Sequence, residues 1–91
     1  MEDQSNACLT WEDHQTLGQR IRFLYKELDS ITYNIRYAYP QDDKHAHSAV
    51  QHLDKMRSHM LKVKDHMDNQ LASDISVKDH PDWKEVYYGP A

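Results

Sequence analysis

An all-α fold, and within it an antiparallel hairpin of two long helices, is what this sequence predicts, on three observations. Apolar residues recur at steps of three and four along two stretches of similar length. Glycine and proline are scarce, with two and three respectively in 91 residues. Pro40, between the stretches, is followed by the polar run Gln41-Asp42-Asp43. Steps of three and four are the period of one helix face, and a short connection folds consecutive helices back on each other.

Taken in order, residues 1–9 are polar, acidic and aperiodic, and are expected to form a flexible lead-in. Thr10 then offers a hydroxyl as N-cap, with Glu12 and Asp13 in the first turn, where free amides and the helix dipole favour acids. From there Leu17, Ile21, Leu24, Leu28, Ile31, Ile35 and Ala38 form an unbroken stripe, and helix 1 is expected over about residues 11–39. Gly18 costs this helix about 1 kcal/mol against alanine, unless it admits the backbone of a neighbour. Pro40 ends the helix, because the residue before a proline avoids the α region. The second stripe, Ala46, Ala49, Leu53, Met56, Met60, Val63 and Met67, places helix 2 over about residues 43–73. Each helix would be ~45 Å long at ~1.5 Å per residue. Thus residues 10–74 form the hairpin, and residues 75–91 a C-terminal tail rich in aromatics: Trp83, Tyr87 and Tyr88.

Helix 1 carries more apolar surface than one seam uses. With Ile21 at heptad position a and Leu24 at d, Phe23 and Tyr37 fall at c, Tyr25 and Tyr39 at e, and Tyr33 at f. A hairpin of this size buries a limited share of its surface alone. The simplest cover is a second copy, which makes a homodimeric four-helix bundle.

Four histidines, His45, His52, His59 and His66, fall seven residues apart, at position g beside the second stripe. Successive members lie ~10.5 Å apart along the helix, too far for two to share a metal that needs nitrogens at ~2.1 Å. They can act together only across an interface, as a metal site or as a pH-sensitive contact. His47, two residues from His45, completes the set of weak metal candidates. The structural alternative is a row of boundary side chains with half-buried rings. The aromatics Phe23, Tyr33, Tyr37, Trp83, Tyr87 and Tyr88 are the better candidates for binding a protein partner, since Tyr and Trp dominate interface hot spots. Their structural alternative is that the tail covers helix 1.

A formal net charge of −4 argues against a general nucleic-acid binder. Protonating the seven histidines would reverse the sign. A single cysteine, Cys8, excludes an internal disulfide and a cysteine-based zinc site. No apolar run approaches the ~20 residues that cross a bilayer, and no signal-peptide pattern opens the chain. Glutamate is absent between Glu27 and Glu85, which removes the Glu-x-x-His of di-iron bundles and the paired glutamates of helical pyrophosphohydrolases. Arg20, Arg22, Arg36, Arg57 and Lys64 are available to hold an anionic metabolite in a bundle core, yet all read equally well as solvated flanking charges. The expectation is a small non-enzymatic protein–protein interaction or regulatory module. It would act as a helical homodimer in the cytoplasm, without a cofactor, nucleic acid or membrane contact. The alternative is a metal- or small-ligand-binding bundle that uses the histidine edge.

Overall fold

The computed structural model describes residues 8–90. The expected N-terminal lead-in falls mostly on residues 1–7, outside the described residues. Two long helices, α1 (Trp11–Ala38) and α2 (Lys44–Asp74), pack against each other as a hairpin about 51 Å in its longest dimension. Thr10 caps α1 reciprocally: its Oγ1 accepts from the Asp13 amide, and Asp13 Oδ2 accepts from the Thr10 amide, both at 3.1 Å. Tyr39 is extended before Pro40, as a pre-proline residue must be. Asp43 caps α2, its carboxylate accepting from the Ala46 amide at 2.9 Å. A 3-10 turn (Val77–Asp79) and a short helix, α3 (Glu85–Tyr88), carry the tail back onto the open end of the hairpin. Gly89, at φ 85°, ends α3.

The seam differs from the predicted stripes in an informative way. Along α1 it runs His14, Gly18, Ile21, Tyr25, Leu28, Thr32 and Ile35; along α2 it runs Ala46, Val50, Leu53, Arg57, Met60, Lys64, Met67, Leu71 and Asp74, all buried or half-buried. Both rows still step by three and four, but they use heptad positions a and e, whereas the stripes used a and d. Ile21, Leu28, Ile35, Ala46, Leu53, Met60 and Met67 are common to both readings. Of the d positions, Leu24 is 48% exposed, Ile31 43%, Met56 51% and Val63 42%. Each helix is therefore rolled so that Tyr25, Thr32, Arg57 and Lys64 enter the seam in their place.

Two sets of contacts hold that roll. Arg57 donates to Asp29 at 2.7 Å and to Asp54 at 2.8 Å, and Arg36 reaches Asp54 at 3.4 Å, so a ladder of ion pairs laces the two helices on one side. On the same side, nearer the open end, α3 lies over positions b and e. The small core there is Leu71, Val86 and Tyr87, with Trp11, Leu17, Ile21, Met67, Ile75 and Trp83 packed around it. Gly18 is required at this spot: a Cβ built on it would stand 2.2 Å from the Val86 carbonyl oxygen. That oxygen accepts from Arg22 Nε at 3.1 Å, one turn further along α1. The glycine lets the carbonyl lie against the helix and the arginine satisfies it.

Candidate functional site

Two arrangements stand out: a chain of buried hydrogen bonds that fastens the tail, and an apolar face whose middle, at Leu24, Ile31, Met56 and Val63, is about half exposed among the described residues.

The first joins the beginning of α1, the end of α2 and α3. His14 is fully buried; its Nε2 lies 2.9 Å from Asp74 Oδ2, and its Nδ1 lies 2.6 Å from the Tyr87 hydroxyl. The proton positions follow from what each group can do. A carboxylate only accepts, so Nε2–H donates to Asp74; where that is the ring's one proton, Nδ1 is the acceptor and Tyr87 O–H donates to it. Gln70 donates to the other Asp74 oxygen at 2.7 Å. The hydrogen bond from His14, followed by that from Gln70, holds the Asp74 carboxyl below its ordinary value. Burial, followed by the charges of Asp74 and Asp68, pushes the Tyr87 phenol up to about 12. Carboxylate, imidazole and hydroxyl in this order activate a nucleophile in hydrolases. Here the terminal oxygen belongs to a residue with 0% exposure. It stays protonated and closed to a substrate, and the chain's work is to lock α3 down.

Around this lock the tail makes further polar contacts. The Lys64 ammonium sits 4.3 Å from the Tyr25 ring centre and 5.8 Å from that of Tyr88, and the Tyr88 hydroxyl donates to Asp65. Burial, followed by the neighbouring Arg22 charge, lowers the Lys64 pKa. Burial also raises that of Asp68, against the pull of Lys84 at 3.8 Å; Asp68 Oδ1 is buried without a hydrogen-bond partner. Trp11 stacks on His80, ring centres 3.9 Å apart.

The second arrangement follows from the roll. Position d projects from one side of the a/e seam and position b from the other. In an antiparallel pair the d rows of both helices therefore share one face of the hairpin. Contacts set the axial register: His14 meets Asp74, Tyr25 meets Lys64, Asp29 meets Arg57 and Arg36 meets Asp54. At that register Leu24 is level with Val63, Ile31 with Met56, Ala38 with Ala49 and Leu17 with Gln70. Seven of these eight side chains are apolar. The opposite, b face holds Arg22, Asp29, Arg36, Asp54 and Asp68 and carries the ion-pair ladder and the tail.

The aromatics singled out in the sequence are divided between these surroundings. Tyr87 is buried in the lock, Trp83 packs against the same core, and Tyr88 is partly exposed over Lys64. Phe23, Tyr33 and Tyr37 are 65%, 59% and 76% exposed on the outward side of α1, where Tyr33 and Tyr37 lean together with ring centres 4.3 Å apart. The six do not form one patch. His45, His52, His59 and His66 are all exposed along the outer edge of α2, bordering the d face, and His47 is exposed at its start. Among the described residues no three His, Cys, Asp or Glu side chains converge to hold a metal ion. No described helix is long and apolar enough to cross a membrane. His14 and Asp74 were absent from the candidates read in the sequence. They are 60 residues apart, and Tyr87 is 73 from His14, so no local spacing announces the cluster.

Protein-family models, curated proteins and solved structures were all compared with the chain, and none matches it.

Proposed function

We propose that this protein is a non-enzymatic interaction module that works as a homodimer, two hairpins closing face to face into a four-helix bundle. One observation carries the reading: the hairpin seats Tyr25, Thr32, Arg57 and Lys64 in its own seam and leaves their neighbours Leu24, Ile31, Met56 and Val63 about half exposed on a single face. Contacts within the hairpin fix its roll, so these rows cannot turn inward without breaking the tail core, and burying a large aliphatic side chain is worth ~1.5–3 kcal/mol that a partner covering them can supply. The face is also of suitable size. Rows of about 21 residues at ~1.5 Å on two helices ~10 Å apart give roughly 600 Å² before corrugation, close to the ~800 Å² per partner of a stable interface. With the bundle closed, the outward aromatics Phe23, Tyr33 and Tyr37 remain free to meet another protein.

Sedimentation equilibrium of the full chain tests this reading. The expected result is a dimer with Kd tighter than about 10 μM. Leu24→Glu and Val63→Glu, both at exposed positions, should give a monomer of unchanged helicity. A wild-type monomer at about 100 μM, or Glu variants that still dimerise, removes the reading.

A further inference from the structure

We infer that the second copy seats with the two-fold axis parallel to the helices, so that α1 of one protomer lies against α2 of the other; this rests on the dimer reading above. Face-to-face closure by a two-fold axis allows two limiting arrangements. An axis across the helices would set α2 on the partner's α2. An axis along them sets α2 on the partner's α1. Charge decides between the two. The outer edge of α2, positions g and c, carries His45, His52, Lys55, His59, Lys62 and His66 and no acid. The outer edge of α1 carries Asp13, Arg20, Glu27 and Asn34 at g and no charge at c. Setting α2 on α2 would press a basic edge against itself along its whole length, whereas setting it on α1 brings Glu27 to the middle of that edge, with Arg20 level with His66 and Asp13 beyond it. Glu27, Lys55 and Lys62 are exposed, and none forms an ion pair with another described residue.

Register supports the same choice. A two-fold axis along the helices permits no axial slip, so each layer of the hairpin meets the same layer of its copy. Leu24 and Val63 face the partner's Val63 and the partner's Leu24, and Ile31 and Met56 repeat the pattern one layer on. Apolar layers coincide without adjustment. At this level the partner's Glu27 falls between His59 and Lys62. The histidine rows of the two copies lie on opposite sides of the bundle and do not meet.

The test uses the full chain with Cys8→Ser throughout. Glu27→Cys and His59→Cys are made singly, their mass in solution is measured, and each is treated with a short bismaleimide linker alone and after mixing. The expected result is dimeric mass for both variants, and covalent dimer in the mixture only. Covalent dimer from His59→Cys alone, or none in the mixture while the mass is dimeric, overturns the arrangement and leaves dimerisation standing. A monomeric wild type overturns both. A charge-swap series gives a second readout. Glu27→Lys and Lys62→Glu should each raise the dimer Kd about three- to tenfold, two copies of the pair being lost, and the double variant should recover most of that loss. Swaps that add without recovery count against the arrangement.

Discussion

Replacing Gly18 by alanine sets two calculable effects of opposite sign against each other. In an exposed helix interior the change stabilises by about 1 kcal/mol, because glycine loses more backbone freedom on folding. Here the added Cβ would stand 2.2 Å from the Val86 carbonyl oxygen, 2.8 Å from Val86 Cγ1 and 2.9 Å from the Val86 carbonyl carbon, where ordinary contact begins at 3.4 Å. Two of the three obstacles are backbone, so α3 as a whole must withdraw by about 1 Å. Overpacking of this kind costs ~1–3 kcal/mol, and weakening the buried bonds from Arg22 to Val86 and from Tyr87 to His14 adds ~1–3 kcal/mol. After the propensity gain the net is a loss of about 3 kcal/mol, or roughly 15 °C in Tm for a chain of this length. Thermal unfolding followed by circular dichroism at one fixed protein concentration measures it, and tryptophan fluorescence reports whether Trp83 has left its packed site. A Gly18→Ala protein more stable than wild type by about 1 kcal/mol, with unchanged fluorescence, would refute the reasoning.

Two further predictions concern the buried polar groups. Tyr87→Phe keeps the ring but leaves His14 Nδ1 buried without its donor, and should cost ~1–3 kcal/mol in urea unfolding; a neutral outcome would mean that the hydroxyl does not hold the tail. Asp68→Asn should stabilise at neutral pH by about 1 kcal/mol, because it removes a buried charge whose Oδ1 lacks a partner. The sign of the pH dependence follows. A carboxyl raised in the folded state destabilises while ionised, and that penalty disappears as pH falls through its folded value. Asp74 acts oppositely: lowered in the folded state, it stabilises above the ordinary carboxyl range, and the contribution is lost as pH falls through its folded value. Wild type should therefore lose less stability than Asp68→Asn as pH falls from 7 through the carboxyl range; parallel profiles would contradict this assignment.

The sequence by itself determined the helices and their limits. Thr10 and Asp43 are caps by side-chain chemistry, Pro40 is a stop by its ring, and steps of three and four need no tertiary context to mark a helix. It also placed the histidines along one edge, since spacing on a helix is geometry. Which of two overlapping stripes would form the seam was beyond it, because positions d and e both adjoin a. Leu24 and Ile31 are the better choice on hydrophobicity alone, and Tyr25 and Thr32 are what the hairpin uses. Contacts between distant residues decided that choice: Arg57 pairing with Asp29 across the hairpin, and Gly18 admitting the Val86 carbonyl. Likewise only the tertiary structure brought His14, Asp74 and Tyr87 together, from three elements separated by most of the chain. Local periodicity records which residues share a face. Which face is buried depends on everything else that must be satisfied at once.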